Sequence, residues 1–310
     1  MSTPEQTATG GMSTKRKVLL GIGVWLAVTV VMVVIFGSSG KNESFLPQNE
    51  FKLDPWISIK LGGVDFSITK AVLYVLLATL LTCASMVFIA RRMQQRPNKV
   101  QTAVELLFGL MRDNIARGNM DEKMARKWFP LIGALFLFIL FSNLIGFVPL
   151  PTSTEHTISI FGLHIPSFSL YAATANLSVP LVLALIVFIS YTAEGVRAKG
   201  PLGYMKSLVP AGITGVAAVP LFLLELMSNL MRLVSLSVRL FANILAGHLM
   251  ILFFAGALAV ILGVAAIAWF TMPLAIAVFL FEVLLVAGLQ AFIFATLTAV
   301  YLGSAVADHH

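Results

Sequence analysis

Long apolar runs alternate with short polar segments along this chain, and the pattern predicts its elements. Four of the runs are long enough to cross a bilayer, because about 20 apolar residues span it as a helix. They lie at 18–37, 70–90, 129–148 and 171–193. Two longer apolar tracts follow, at 214–255 and 258–305. The pattern therefore predicts an all-α, polytopic membrane protein with about six membrane helices.

The last two tracts are too long for ordinary membrane helices. A helix of about 40 residues would be about 60 Å long, twice the hydrocarbon thickness of about 30 Å. Each tract either folds into two spans or forms one steeply tilted helix. No charged loop interrupts either tract, and the only evident break between them is the small-residue segment 255–257. We therefore expect two long tilted helices that form a hairpin.

The remaining segments are short. Residues 1–17 begin with a Ser, Thr, Gly and Gln-rich stretch and are predicted to form a disordered cytoplasmic N-terminus. We expect an outer loop at 38–69 and a cytoplasmic-side interfacial helix near 99–118. The run at 18–37 has a second interpretation, as a signal peptide, but it is long for that role and no cleavage pattern follows it. We expect a retained, additional membrane helix.

Basic residues mark the loops that stay in the cytoplasm. Hydrophobic residues make up 58% of the chain and charged residues 11%, against about 25% charged in soluble domains. Positively charged loops remain on the cytoplasmic side of a membrane. Such clusters lie at 15–17, 91–99, 123–127 and 197–206. The net charge of +7 therefore reports orientation, with 149–170 outside, and gives no evidence for a nucleic-acid partner.

The sequence contains no pattern for catalysis or for a bound cofactor. It has no metal-ligand cluster, no Gly-rich phosphate loop and no nucleophile motif. The terminal pair His309 and His310 is too small to make a specific metal site. We therefore expect no metal, no cofactor and no bond-making chemistry in this chain.

Five ionisable side chains lie in the most apolar part of the chain. Between Lys206 and Asp308 they are Glu225, Arg232, Arg239, His248 and Glu282. A charge at the bilayer centre costs about 3 kcal/mol on insertion scales, so an ionisable group kept there is a functional candidate. The alternative is a set of polar contacts between helices with no function in transport.

A polar stripe follows the first of the two long predicted helices. At about 100° per residue, five polar side chains fall within about 40° of one line, and Ser235 flanks that line. The five are Glu225, Asn229, Arg232, Arg239 and Asn243. The stripe is about 27 Å long, nearly the thickness of the hydrocarbon core. It must face protein or water, either as a seam between helices or as one wall of an ion path.

The chemistry of these groups favours an ion path in two parts. Arginine stays protonated, so Arg239 cannot relay a proton but can attract a carboxylate and repel passing cations. Carboxylates and imidazole exchange protons, so Glu225, His248 and Glu282 can relay them. If the two long helices are antiparallel, Glu282 approaches His248, and Gln290 follows eight residues later on a broadly similar face.

Two segments resemble subunit a of the F-type ATP synthases, in the Fo sector. Residues 237–248 read Ser-Val-Arg-Leu-Phe-Ala-Asn-Ile-Leu-Ala-Gly-His, and residues 289–302 read Leu-Gln-Ala-Phe-Ile-Phe-Ala-Thr-Leu-Thr-Ala-Val-Tyr-Leu. Shorter similarities are Asn143, the turn at 149–151, and the pair Thr174 and Asn176. The resemblance covers about residues 50–305, within a predicted membrane domain at 70–310.

The resemblance implies a non-catalytic, proton-translocating stator subunit. Arg239 would face a ring of c subunits and prevent a short circuit between two half-channels. His248 and Glu282 would form the outer half-channel, and Glu225 would belong to the inner one. The further residues of the proton path would be Asn243, Gln290, Ser235, Arg232 and Asn176. The implied partners are the c ring, the b subunits of the peripheral stalk and other Fo and F1 subunits, in a bacterial plasma membrane.

Some features depart from the family pattern. In the family an acid or a histidine usually precedes the glutamine by seven residues, whereas Glu282 precedes Gln290 by eight and Val283 holds the usual place. A local helical bulge would absorb the extra residue. Thr174 stands where some relatives have Asp, and the helix at 18–37 is additional.

One alternative class is a secondary transporter that uses Arg239 to bind an anionic substrate. Such transporters often show inverted repeats and helices broken near the midplane, and neither pattern is evident in this sequence. A membrane scaffold is a third class, but it would need no set of titratable groups. We expect protons rather than sodium as the coupling ion, because the polar groups include histidine and lack a cluster of oxygen ligands.

Overall fold

The computed structural model describes most of the chain. Its described residues are 13–36, 53, 55–61, 64–65, 67–92, 98–151, 157–160, 163–166, 168–209, 213, 218–262, 264 and 266–307. Of the predicted disordered N-terminus, 1–12 lie outside these residues. Residues 14–17 contradict the prediction, because the first helix begins at Thr14. Lys15, Arg16 and Lys17 are good helix formers and extend the helix beyond its apolar part.

Helices dominate the described chain, which confirms the predicted all-α class. The α-helices are α1 (Thr14–Phe36), α2 (Lys70–Arg92), α3 (Lys99–Gly109), α4 (Arg117–Asn119), α5 (Glu122–Gly146), α6 (Ser178–Lys199), α7 (Pro201–Ser207), α8 (Ala218–Leu252), α9 (Leu258–Leu262), α10 (Ala266–Phe281) and α11 (Ala287–Val306). Three π-helical segments join consecutive helices. They are Leu110–Ala116 between α3 and α4, Phe253–Ala257 between α8 and α9, and Glu282–Val286 between α10 and α11.

Five helical stretches of the described chain are long and apolar enough to cross a membrane. They are Lys70–Arg91, Glu122–Gly146, Ser178–Lys199, Ala218–Ile261 and Ile267–Val306. The chain is therefore a multi-pass membrane protein, as predicted. The additional helix expected at 18–37 is present as α1, whose 23 residues extend about 35 Å. That α1 crosses the membrane stays a prediction.

The two long helices are present, but the predicted break between them is wrong. Residues 255–257 lie inside the π segment Phe253–Ala257, and the helix continues through α9 to Leu262. Small residues without a proline do not force a helix to end. The break falls instead between Leu262 and Ala266.

The predicted helix at 99–118 is present as α3, its π segment and α4. Asn98 caps its start, because the Asn98 side-chain oxygen accepts the backbone N–H of Gln101 at 2.8 Å. Near its end, the carboxylate of Asp113 accepts hydrogen bonds from both Arg112 and Arg117. The position of this helix at the membrane surface stays a prediction.

The segments predicted to be outer loops contain short antiparallel strands that the sequence did not predict. The pairs are β1 (Lys60–Leu61) with β2 (Val64–Asp65), β3 (Leu150–Pro151) with β6 (Phe168–Ser169), and β4 (Thr157–Ile160) with β5 (Leu163–Pro166). Ile57 also forms a bridge with Ile68. Strands of two to four residues are too short to leave a clear alternating pattern in a sequence.

The chain divides into two compact units. One comprises residues 1–47 and 249–278, and in it Trp25 of α1 stacks on Phe270 of α10 with ring centroids 5.0 Å apart. The other comprises residues 48–248 and 279–310 and holds every candidate site residue. Its core is built by α5, α6, α8 and α11, whose buried side chains include Ile139, Val187, Leu240 and Phe294.

Two glycines allow close packing near the ends of helices in this second unit. Gly303 of α11 lies directly against the backbone carbonyl of Asn119, which leaves no room for a Cβ atom. Gly195 of α6 lies against the ring of Tyr204, where a Cβ would come within 2.5 Å of a ring carbon. Glycine at both positions therefore allows helix packing that a larger side chain would prevent.

Candidate functional site

An ion pair with an aromatic neighbour forms the first polar cluster of α8. A guanidinium nitrogen of Arg232 lies 3.6 Å from a carboxylate oxygen of Glu225, and both side chains are partly exposed. The Arg232 guanidinium also lies over the ring of Tyr301, 5.5 Å from its centroid. The ring of Tyr191 lies 5.9 Å from that of Tyr301. Three helices, α6, α8 and α11, thus contribute to this cluster.

His248 is the centre of the second cluster and is almost fully buried. Its Nδ1 lies 3.0 Å from the carbonyl oxygen of Ile244, and its Nε2 lies 3.1 Å from that of Gly146. The ring of Phe147 stacks on the imidazole at 4.8 Å. Both nitrogens face acceptors, so a neutral imidazole can donate to only one of them, whereas a protonated one can donate to both.

The carboxyl group of Glu282 lies against α8 at Gly247, the residue before His248. A Cβ atom at Gly247 would lie 2.5 Å from each carboxyl oxygen of Glu282, so the close contact requires glycine. The side chain is buried, and its Oε2 has no hydrogen-bond partner among the described residues. The contact brings Glu282 to the level of His248 on α8; that the two side chains approach each other stays a prediction.

The two contacts between α8 and the last helical stretch fix their relative direction. Arg232 meets Tyr301, and Gly247 meets Glu282, so residue numbers rise along one helix as they fall along the other. The two helices are therefore antiparallel within this unit. The two levels are 15 residues apart on α8, which corresponds to about 22 Å along the helix axis.

A π-helical segment brings Glu282 and Gln290 onto one face. In an unbroken α-helix, side chains eight residues apart would point about 80° away from each other. The π segment Glu282–Val286 takes up one extra residue, which reduces the difference to about 20°. Both side chains are accordingly buried. The helical bulge expected from the spacing of these residues is thus present.

A buried hydrogen-bond chain holds the end of this π segment. The side-chain amide of Asn143, on α5, donates to the carbonyl oxygen of Ala287 at 3.3 Å. The hydroxyl of Thr174 donates to the side-chain oxygen of Asn143 at 2.8 Å. All three residues are fully buried. Thr174 therefore makes a neutral contact with Asn143.

Arg239 lies between the two levels and points out of the chain. Its side chain is exposed, and it makes no ion pair or hydrogen bond within the part of the chain that the structure describes. Asn243 is also exposed. The exposed positions beside them carry small residues, namely Ser235, Ala242 and Ala246. Of the five residues in the polar stripe, Asn229 alone is buried.

Asn176 has a local role that the sequence did not indicate. Its side-chain oxygen accepts the backbone N–H of Ser178 at 3.0 Å, where α6 begins. Burial raises the pKa of the nearby Tyr171 phenol to about 12. Asn176 thus supports the segment that carries Thr174.

Several residues of the site or its surroundings escaped the sequence analysis. Gly247 and Tyr301 matter only through contacts across two helices, and small and aromatic residues are common in membrane helices. Glu194 of α6 is buried and is bound by the ammonium group of Lys127 at 2.6 Å. Glu194 could have been noticed in the sequence, because it is a carboxylate at the end of an apolar run.

The fold and these side chains define a class of protein. The chain is a multi-pass membrane protein whose ionisable groups lie at two levels of one long helix, with an exposed arginine between them. Ionisable groups arranged in this way within membrane helices are typical of proteins that translocate ions.

Comparison with known proteins identifies the family. Residues 72–303 match the family described as ATP synthase A chain. The ATP synthase subunit a of Hyphomonas neptunium is 34% identical and covers 85% of this chain and 97% of its own length. The ATP synthase subunit a of Rhizobium rhizogenes is 34% identical and covers 84% of this chain and 96% of its own length. That of Bradyrhizobium diazoefficiens is 35% identical and covers 85% of this chain and 98% of its own length. The chain belongs to the ATP synthase subunit a family.

This membership confirms the resemblance and the main expectations drawn from it. The chain is a proton-translocating membrane component of an ATP synthase in a bacterial membrane, and it works together with other subunits of that complex. The family does not support the alternative of a secondary transporter that binds an anionic substrate. The helix α1 precedes the region that the family matches, so it is additional to the shared part.

Proposed function

We propose that this chain provides two half-channels that load and unload protons on carboxylates of a c-subunit ring, with Arg239 between them. The observation that carries the proposal is the position of Arg239. It is an exposed, unpartnered cation midway along an apolar helix, between the described clusters at Arg232 and at His248. A permanent charge at this depth needs a partner surface outside the chain.

The outer half-channel comprises His248, Glu282 and Gln290. A proton arriving from outside is taken up by the imidazole of His248 or by the carboxyl group of Glu282, which contacts the preceding residue, Gly247. Two carbonyl oxygens stabilise the protonated ring of His248. The route continues past Asn243, on the exposed face of α8, to a carboxylate of the ring.

The inner half-channel is formed around Glu225, with Arg232 and Ser235 beside it. The ion pair of Glu225 with Arg232 places a carboxylate at this level of α8, where it can receive a proton that leaves the ring and pass it toward the cytoplasm. The neutral ring carboxyl reaches this side by rotation through lipid, because burying a neutral carboxyl costs far less than burying an ion.

Arg239 separates the two routes. Its guanidinium attracts the ring carboxylate once the proton has left and repels cations that would pass directly from one route to the other. Small residues at Ser235, Ala242 and Ala246 allow a partner helix to approach this face closely. Each proton gains about 2.3 kcal/mol per 100 mV of membrane potential. The chain itself forms and breaks no covalent bonds.

The test is proton pumping in inverted membrane vesicles that contain the complete ATP synthase. We expect Arg239→Ala to abolish ATP-driven pumping while the soluble ATPase activity remains. The matched control is Arg197→Ala, which removes an exposed arginine at the end of α6 and should leave pumping intact. Normal pumping by Arg239→Ala would reject the proposal.

A second substitution tests the outer half-channel. Glu282→Gln keeps the shape of the side chain but removes its ability to carry a proton, and His248 remains as a second acceptor. We therefore expect slower pumping than in the unmodified complex, but a weaker defect than that of Arg239→Ala. Unchanged pumping rates would assign the outer route to a different residue.

The proposed partners are tested by purification. The chain should be recovered together with a ring of small two-helix proteolipids and with the b subunits of the peripheral stalk. Arg239→Ala should still assemble with the ring, because the small residues around it remain. Recovery of the chain alone under mild conditions would contradict the proposed partnership.

A further inference from the structure

A cavity of about 300 Å³ lies beside the start of α5, on the side that the basic loops predict to face the cytoplasm. It is bounded by α3, the π segment Leu110–Ala116 and the first turns of α5. Its lining side chains include Phe108, Arg112, Arg117, Glu122, Arg126 and Phe129. Three guanidinium groups against one carboxylate leave this lining with a formal charge of +2.

The three arginines differ in how far their charge is already compensated. Asp113 accepts hydrogen bonds from Arg112 at 3.0 Å and from Arg117 at 3.2 Å, and Arg117 also lies 3.3 Å from Glu122. The hydrogen bond from Arg112 holds the pKa of Asp113 below its usual range, so this carboxylate stays ionised. Arg126 makes no ion pair with any residue that the structure describes, so its charge is uncompensated.

The cavity combines this charge with apolar walls near the depth of lipid head groups. The membrane-spanning stretch begins at Glu122, and Arg126 lies about 6 Å further along α5. The rings of Phe108 and Phe129 meet edge to face at 4.8 Å. Leu106, nearby on α3, is 71% exposed, as expected for a helix that rests on acyl chains.

We propose that this cavity binds the phosphate group of an anionic phospholipid from the cytoplasmic leaflet. Guanidinium groups bind phosphate oxygens through paired hydrogen bonds, and basic pockets beside membrane helices suit lipid phosphates. Arg126 supplies the uncompensated charge, and the two phenylalanine rings contact the beginning of the acyl chains. The site is separate from the proton path and does not depend on the proposed half-channels.

The test compares two substitutions on one helix in the purified ATP synthase complex. Arg126→Gln removes a charge that lines the cavity, and Lys123→Gln removes an exposed charge three residues earlier that does not line it. Phosphatidylglycerol bound to each complex is counted by native mass spectrometry. We expect Arg126→Gln to weaken retention about fivefold, Arg126→Lys to weaken it less, and Lys123→Gln to leave it unchanged. Equal retention by Arg126→Gln and Lys123→Gln would overturn the proposal.

Two further measurements separate the lipid from other occupants. Excess inorganic phosphate should not displace phosphatidylglycerol, because it lacks the acyl chains that contact the aromatic wall. Displacement would assign the cavity to a free anion and overturn the lipid proposal. A cysteine crosslink from Arg126→Cys, in a Cys83→Ser background, to a stalk subunit in a complex without bound lipid would assign it to a protein partner and equally overturn the proposal.

Discussion

At the scale of single residues, the outer end of the site depends on contacts between side chains and backbone. His248 lies between two carbonyl oxygens, so uptake of a proton converts one poor contact into a hydrogen bond. Glu282 packs against α8 only because Gly247 has no side chain. A buried carboxyl group and a buried imidazole therefore meet adjacent residues of α8 and its surroundings.

We predict that Gly247→Ala disrupts proton transfer on the outer side. The added methyl group would overlap the carboxyl group of Glu282 and displace it from its contact with α8. Overpacking of this kind costs about 1–3 kcal/mol. ATP-driven pumping in vesicles should fall by about tenfold or more, because a displaced proton-transfer group loses its reactive geometry.

The matched control for this substitution is Gly288→Ala on α11. A Cβ at Gly288 would meet nothing within 4 Å, and alanine favours a helix over glycine by about 1 kcal/mol. Gly288→Ala should therefore assemble and pump normally. Equal pumping by the two variants would contradict the close contact between Gly247 and Glu282.

Sequence reasoning identified the ionisable residues but not their neighbours. Arg239, His248 and Glu282 stand out because charged and titratable groups are rare in apolar tracts. Gly247 and Tyr301 do not stand out, because their importance depends on how two helices are rotated against each other. That rotation depends on packing across the whole core and leaves no local pattern in the sequence.

At the scale of elements, the lengths of the apolar tracts predict the two long helices, whereas details within them are less predictable. The small residues at 255–257 suggest a break, but they lie within a π segment and the helix continues to Leu262. The spacing of Glu282 and Gln290 does point to the second π segment. The eight-residue spacing of Glu282 and Gln290 was therefore a better guide to local helix structure than the small residues at 255–257.

We predict that deletion of Val283 is tolerated. The deletion removes the extra residue that the π segment Glu282–Val286 accommodates. Seven residues of α-helix would then separate Glu282 from Gln290 and leave them about 20° apart, close to their present relation. Pumping should stay within about twofold of the unmodified complex, because the polar face of the helix is preserved.

The control is deletion of Ile293, in a regular part of α11. It would rotate the end of the helix by about 100° relative to Gln290. Gly303 would then no longer face Asn119, and a larger side chain would take its place. We expect loss of the assembled complex in membranes. Pumping by this variant, or its loss on deletion of Val283, would contradict the role assigned to the π segment.

At the scale of the whole molecule, the chain is a set of membrane helices with an incomplete polar surface. Some buried groups of the second unit have partners within the chain, as Glu194 has in Lys127. Arg239 and Asn243, in contrast, are exposed on an apolar helix. This polar face of α8 agrees with a subunit of a larger assembly.

The predicted orientation in the membrane can be measured directly. Val148→Cys lies at the end of α5 that should face outward, and Glu105→Cys lies on α3, which should face the cytoplasm; both native side chains are exposed. In a Cys83→Ser background, a membrane-impermeant maleimide should label Val148→Cys in intact cells. It should label Glu105→Cys only after permeabilisation, and the reverse pattern would invert the orientation.

The π segment Glu282–Val286 affects how residues of this protein should be matched to its homologues. With a homologue that lacks such a segment, we expect an ungapped alignment along the last helix to place Glu282 one residue out of register. A one-residue gap inside the segment would restore the structural equivalence of the carboxyl group. A role transferred without this gap would fall on the apolar Val283, and mutagenesis guided by it would miss Glu282.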